Sequence, residues 1–187
     1  MNRIAWPMAP LLVAALLNGC SIVAPQYSAS IDNVEKLKDA GDFTARVGKF
    51  DASKDPGNAN PISLRGSALQ SPYGDSYALY LAEAIKQELM LAGKLRPDAA
   101  IEISGLLMKN DIDASGVSRA TGDISARFVV RKGEATTYDQ VKTVHHEWES
   151  SFAGAIAIPR AQQEFPRLVQ RLLAALYADQ DFIRALK

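Results

Sequence analysis

The chain contains a single cysteine, Cys20, among its 187 residues. One cysteine cannot form an internal disulfide, so apolar burial and hydrogen bonds alone have to hold the fold together. The residues that follow it are numerous enough for one domain with its own hydrophobic core. We therefore predict a single disulfide-free domain over residues 42–187, preceded by a short segment over residues 20–41.

Cys20 closes a hydrophobic leader. Residues 4–17 are apolar, they follow a basic start at Arg3, and the leader ends in Leu17-Asn18-Gly19-Cys20. A helix needs about 20 apolar residues to cross a bilayer, so this shorter run is typical of a signal peptide over residues 1–19. Its ending resembles the lipobox of bacterial lipoproteins. That resemblance implies cleavage before Cys20, with lipid on the sulfur and on the new amino terminus. The alternative is an ordinary secretory peptide in which Cys20 is incidental.

Ser21 bears on which membrane the protein would reach. In lipoproteins of bacteria with two membranes, Asp after the lipidated cysteine is the usual signal for retention in the inner membrane. Ser21 therefore implies the outer membrane, on its periplasmic face. Several acyl chains on one residue make such an anchor effectively permanent.

The charge of the chain limits its partners. Lysine plus arginine and aspartate plus glutamate are equal at 21 each, and loss of Arg3 with the leader leaves about −1. A near-neutral chain is not expected to bind nucleic acid or to be drawn electrostatically to anionic lipid. The predicted partners are the membrane, through the lipid, and an envelope protein or a second copy of the chain.

Hydrophobic periodicity predicts an α+β fold with a mainly antiparallel sheet. The first half of the chain is predicted to form a tether over 21–30, a helix over 31–40 capped by Asp32 or Asn33, and a strand over 42–51. A long loop over 52–76 follows, with an extended piece at 62–64, and then a helix that ends at 92. The second half is predicted to form strands over 100–112, 120–131 and 136–152 and a last helix. This order is strand, helix, three-strand meander, helix. The alternation predicts one solvated face and one face covered by two helices.

The last helix carries the strongest amphipathic stripe. Its entry is expected between Pro159 and Pro166, and Asp179 is expected to cap a final short helix. The stripe comprises Phe165, Leu168, Val169, Leu172, Leu173, Leu176 and Tyr177. Their spacing of three and four residues predicts a principal core element.

One polar cluster, His145-His146-Glu147-Trp148-Glu149, could carry chemistry. On a strand His145, Glu147 and Glu149 share one side, and such ligands can hold a divalent ion. The alternative that we favour is a solvated polar face, with His146 packed beside Trp148. The sequence holds no nucleophile motif, phosphate-binding loop or zinc cysteine pair. We therefore predict no enzyme, no cofactor and no metal site.

The uncharged segment over residues 153–159 has no place in the predicted core. It contains Ile156 and Ile158, and it lies between the last strand and the last helix. It could be a buried crossing loop, or an exposed apolar edge that binds a partner.

Residues 45–50 (Ala-Arg-Val-Gly-Lys-Phe), followed by a loop and an amphipathic helix that ends near Gly93, resemble the opening of TolB amino-terminal and curli-secretion-type periplasmic domains. The lipobox, the order of elements and the Asp179–Ile183 ending resemble YajG-type outer-membrane lipoproteins. Lipoproteins of lipopolysaccharide assembly and of Pel-type export share this general architecture. The resemblance implies a role in the cell envelope that is performed by binding, with no catalytic residue to transfer.

The sequence thus predicts a lipid-anchored, non-catalytic assembly or accessory subunit in envelope biogenesis or export. Besides Cys20, the residues predicted for its binding surface are Ile156, Ile158, Tyr138, Trp148, Arg127 and His145. One alternative is a glycan- or lipid-binding module that holds its ligand over the sheet with Trp148 and Tyr138. A weaker alternative is a metal-dependent enzyme centred on His145.

Overall fold

The computed structural model describes residues 21–187, so Cys20 and the leader lie outside the described residues. The strands are β1 (Ser21–Val23), β2 (Ala45–Ala52), β3 (Ile62–Leu64), β4 (Ser67–Gln70), β5 (Ile101–Asp113), β6 (Arg119–Lys132) and β7 (Ala135–Glu149). The helices are α1 (Ile31–Asp39), α2 (Tyr77–Leu91), α3 (Gly154–Tyr177) and α4 (Gln180–Ala185).

The larger sheet has the strand order β2-β5-β6-β7. β5, β6 and β7 form the predicted antiparallel meander. β2 runs parallel to β5, and α2 makes the crossover between these two strands. The predicted α+β class with a mainly antiparallel sheet is therefore confirmed.

The core lies between one face of this sheet and the helices. The residues of β6 that point inward are Ala120, Gly122, Ile124, Ala126, Phe128 and Val130, and all are buried. The predicted stripe of the last helix faces them, and each of its seven members is at most 3% exposed. A Cβ added to Gly122 would lie 3.0 Å from Leu168 Cδ2, so glycine lets α3 approach the sheet closely.

α3 is longer than the sequence predicted. It begins at Gly154 and runs through both Pro159 and Pro166, so the supposed segment over 153–159 forms its first turns. A proline inside a helix removes one backbone hydrogen bond, and for that reason the sequence predicted a helix entry between Pro159 and Pro166. The helix continues because Ala157 and Ala161 extend the buried stripe back toward the sheet. Burial by tertiary contacts outweighs the missing bonds.

The expected long loop contains a β-hairpin. β3 and β4 pair antiparallel around a two-residue turn, Arg65-Gly66, in which both residues have positive φ, 50° and 86°. Such a turn matches the right-handed twist of the paired strands. The prediction of a loop over 52–76 without regular structure, apart from an extended piece at 62–64, was wrong at this hairpin.

The expected tether is part of the folded domain. β1 pairs parallel with β4, with Ser21 opposite Ala68, and completes a small sheet of order β1-β4-β3. Further along, Ala24 and Tyr27 are 3% and 4% exposed. These side chains give the segment enough buried contact to hold it on the domain instead of leaving it as a free linker.

Candidate binding surfaces

The outer face of the larger sheet carries a ladder of polar cross-strand contacts. Arg127 of β6 forms a bidentate ion pair with Asp139 of β7, with its Nε 2.6 Å from Oδ1. Toward the other end of the sheet, Lys109 Nζ lies 3.4 Å from Asp123 Oδ2. Each pair joins a positive and a negative side chain on neighbouring strands, so this solvated face is nearly neutral.

His145 lies on this outer face between two carboxylates. Its Nδ1 is 3.1 Å from Asp123 Oδ1, and its Nε2 is 3.4 Å from Glu147 Oε1. Hydrogen bonds to Asp123 and then to Glu147 raise the pKa of His145. Arg119 also pairs with Glu147 at 2.8 Å, and the Glu149 side chain is 86% exposed. Within residues 21–187 no three metal-ligating side chains are placed to share an ion.

Trp148 and Tyr138 lie on the opposite, buried face, which contradicts the proposal of an aromatic platform over the sheet. Trp148 pairs with Ala120 across the ladder and is 8% exposed. Tyr138 pairs with Val130, and its hydroxyl donates to Asp179 Oδ2 at 2.8 Å. Both positions share the parity that α3 and α4 cover, so neither ring is free to stack on a glycan.

His146 lies inside as well. Its ring centroid is 5.6 Å from that of Trp148, as the solvated-face interpretation predicted. Its Nε2 lies 3.3 Å from the buried Glu164 of α3, and Arg167 pairs with the other oxygen of that carboxylate at 2.6 Å. The two adjacent histidines therefore lie in different surroundings: His145 is in solvent and His146 is beneath α3.

Ile156 and Ile158 occupy the first turns of α3. Ile156 is 58% exposed, whereas Ile158 is half-buried. Arg127 and His145 lie on the outer face of the sheet, so the structure does not bring Ile156 or Ile158 together with them. The predicted binding surface divides into a polar sheet face and a separate apolar region at one end of the domain.

A buried carboxylate, Glu88 of α2, holds the segment that precedes α1. Its Oε1 accepts hydrogen bonds from the Tyr27 hydroxyl at 2.6 Å, the Ser30 amide at 3.1 Å and Asn33 Nδ2 at 3.2 Å. Asn33 Nδ2 also donates to the Gln170 carbonyl of α3. We call Glu88, Tyr27, Ser30, Asn33 and Tyr177 the Glu88 cluster.

The Glu88 cluster is electrostatically unusual. Glu88 is 0% exposed, and no ion pair among residues 21–187 includes it. Burial raises the pKa of Glu88, against the opposing effect of the hydrogen bonds that it accepts. Its second oxygen and the Tyr177 hydroxyl are buried without a partner in hydrogen-bonding geometry within the described part of the chain. Burial also raises the pKa of Tyr27 and of Tyr177.

Side chains of α2 and α3 bind the same segment along its length. The donors and the carbonyls that accept are Gln162 Nε2 to Val23 at 2.6 Å, Gln170 Nε2 to Ser28 at 2.7 Å and the Tyr80 hydroxyl to Pro25 at 2.9 Å. The segment therefore runs alongside the middle part of α3, from Gln162 to Gln170. Residues 21–33 are fixed to the domain by both burial and hydrogen bonds.

The sequence contained a signal for the Glu88 cluster that our predictions did not use. Glu88 follows Ile85 by three residues and Ala84 by four, so it lies on the buried stripe of α2. A carboxylate on such a stripe needs hydrogen-bond donors, and polar residues flank the start of α1. Ser30, rather than Asp32 or Asn33, caps that helix.

No helix within residues 21–187 combines the length and the apolar character needed to cross a membrane.

Comparison with known proteins shows the fold and no more. No family profile and no curated protein matches the sequence. Protein XCC0632 from Xanthomonas campestris, of family DUF330, is similar in structure with a TM-score of 0.59 and 13% identity, over 88% of this chain and 96% of its own. The hypothetical protein CT253 of Chlamydia trachomatis reaches a TM-score of 0.50 at 10% identity, over 78% and 99%.

A third solved structure, described as a candidate lipoprotein from Caulobacter crescentus, has a TM-score of 0.46 at 14% identity, over 82% of this chain and 96% of its own. That similarity is too low to carry an argument. The resemblance to YajG-type and TolB-type domains stays a prediction.

Proposed function

We propose that this chain is a lipid-anchored, non-catalytic accessory subunit of the bacterial envelope, acylated at Cys20 on the periplasmic face of the outer membrane. The observation that carries the proposal is the position of Ser21. This residue directly follows Cys20 and is already paired with Ala68 in the small sheet. The lipid would thus be attached at the surface of a folded domain. A lipobox directly before an ordered strand would hold that domain close to the membrane.

The outer face of the larger sheet is the surface we propose for binding an envelope partner. Its three meander strands, β5, β6 and β7, are 13 to 15 residues long, and the helices cover only the other face. Val141 is 47% exposed there and lies opposite Arg127. A polar face with isolated apolar side chains fits a partner that is exchanged or assembled, since such interfaces are about as polar as the rest of a protein surface.

The non-catalytic part of the proposal rests on the same face. His145 is exposed there between two carboxylates on the open face of the sheet. General acid–base chemistry needs a proton donor within hydrogen-bond reach of a bound substrate, in a site that positions that substrate. An exposed imidazole on an open sheet face fits a binding surface better than such a site.

Two measurements test the proposal. The intact mass of the membrane-extracted protein should show Cys20 as the first residue, carrying acyl chains, and Cys20→Ala should move the protein to the soluble fraction. An unmodified Cys20 thiol, or cleavage elsewhere, would refute the anchor.

A photo-crosslinking amino acid at Val141 should then capture a discrete envelope partner in cells. The matched control is the same amino acid at Lys36, which is exposed on α1 away from the sheet face. The same adduct at both positions, or none at Val141 in acylated protein, would contradict the assignment of this face.

A further inference from the structure

Three connections meet at the end of the domain where the chain enters. The Arg65 guanidinium, in the β3–β4 turn, donates to the carbonyls of Ala114, Gly116 and Phe152. The Ser150 amide also donates to the Ser118 carbonyl at 2.8 Å. We call this region, made of β1, the Arg65-Gly66 turn and residues 114–118 and 150–156, the anchor-side end.

Four exposed apolar side chains lie at the anchor-side end, and others lie elsewhere on the described domain. Phe152 is 81% exposed, Val117 65%, Ile156 58% and Val23 53%. Phe152 is the most exposed large hydrophobic side chain in the described part of the chain. Its carbonyl is held by Arg65, so the backbone is fixed while the ring points into solvent. A fixed, exposed phenylalanine beside other apolar residues is typical of a contact surface.

The loops of the anchor-side end carry no charged side chain except Arg65, and the exposed residues Asp113, Arg119 and Glu149 border them. Residues 21–31, 66–72, 114–118 and 150–158 contain no Lys, Arg, Asp or Glu. Arg65 lies next to these ranges, in the β3–β4 turn, and its guanidinium is bound to three backbone carbonyls. The apolar loop tips can enter a lipid interface at low cost while the bordering charges stay in water at the level of the headgroups.

We propose that the anchor-side end lies in the membrane interface, with Phe152 and Val117 inserted among the lipid headgroups and upper acyl chains. The inference rests on the proposed acylation of Cys20, which would place the acyl chains beside Ser21, one residue before this end. The anchor holds the apolar loop tips at the bilayer at all times. Burial of those tips, in turn, fixes the orientation of the domain on the membrane.

Site-directed spin labelling tests this on the full, acylated protein in vesicles of phosphatidylethanolamine and phosphatidylglycerol. Acylation blocks Cys20, so a cysteine introduced as Phe152→Cys or Val117→Cys is the only free thiol. The matched control is Glu134→Cys, in the exposed β6–β7 turn at the other end of the sheet. Labels at 152 and 117 should be accessible to oxygen and protected from a water-soluble nickel chelate, with the label at 134 showing the reverse.

The unsubstituted protein provides a second readout. Trp148 is the only tryptophan left once the leader is removed, and it lies at the end of β7 next to the anchor-side end. Brominated lipids should quench its fluorescence more than they do in Phe152→Asp, which keeps the anchor but should withdraw from the interface.

The outcomes separate the two proposals. Nickel access at 152 equal to that at 134, in protein whose mass shows acylated Cys20, would overturn the inference and leave the anchor intact. An unacylated Cys20 would refute the proposed function itself. Spin–spin broadening at 152 that disappears on dilution with lipid would show that a second copy of the chain covers this end, which also overturns the inference.

Discussion

Replacing Glu88 by alanine should destabilise the domain by about 3 kcal/mol. The substitution leaves the Tyr27 hydroxyl and Asn33 Nδ2 buried without their acceptor, and each such orphan costs about 1–3 kcal/mol. Asn33 keeps its bond to the Gln170 carbonyl, and removal of a buried carboxylate recovers part of the loss. For a domain of this length the melting temperature should fall by about 6–12 °C.

Glu88→Gln is the matched control. Its amide oxygen can accept the same three hydrogen bonds, and its NH₂ group can donate to the Tyr177 hydroxyl. We therefore expect a stability within about 1 kcal/mol of the parent protein near pH 5. Urea unfolding of the soluble protein beginning at Ser21 measures both variants.

The pH dependence gives an independent check. Burial raises the pKa of Glu88, so the folded state retains a proton that the unfolded state loses near pH 4.5. The contribution of Glu88 is therefore complete below that pH and is lost as the pH rises through the folded-state pKa. The free energy of unfolding of Glu88→Gln relative to the parent should increase across this window.

Hydrogen exchange locates the effect. In Glu88→Ala the amides of residues 24–33 should lose protection before those of β6, because the Glu88 cluster holds that segment. Equal destabilisation by Gln and Ala, a flat pH difference, or unchanged protection over residues 24–33 would refute this account of the cluster.

Two further predictions concern the core and the polar face. Leu172→Ala, in the buried stripe of α3, should lower the free energy of unfolding by about 2–5 kcal/mol, as measured by thermal unfolding. Arg171→Ala, on the exposed side, should change it by no more than about 0.5 kcal/mol. Equal losses would mean that the phase of α3 is wrong. Purified protein should retain no zinc or calcium through dialysis and show no thermal shift when either is added, and stoichiometric metal that His145→Ala abolishes would contradict the non-catalytic proposal.

The meander and α2 could be predicted because their patterns are long and regular. β6 alternates without a break, and α2 combines a buried stripe with a serine cap at Ser76. The assignment of Phe152 to the last strand failed because alternation alone does not show where pairing stops. β7 ends at Glu149, and the chain then turns toward α3.

The short strands and the N-terminal contacts could not be predicted from local patterns. β1 and β3 have three residues each, and their stability comes from pairing with β4, which is distant in sequence from β1. The contacts of Arg65 and Glu88 likewise join segments that only the folded chain brings together. Gln170 shows the same limit, because its hydrogen bond to the Ser28 carbonyl joins two segments that are distant in the sequence.

The two proposals together fix how the sheet would be presented to a partner. α3 has 24 residues, about 36 Å of helix, and it begins at the anchor-side end. The outer face of the sheet would therefore extend away from the membrane. Asp123 and Arg127 are four residues apart on β6, which is about 13 Å along the strand. Asp123, with His145 beside it on β7, lies nearer the membrane than Arg127, which pairs with Asp139. A partner embedded in the same membrane should meet the His145 row first. A partner that reaches across the periplasm should meet the Arg127 row, so crosslinkers at His145 and Val141 would distinguish the two approaches.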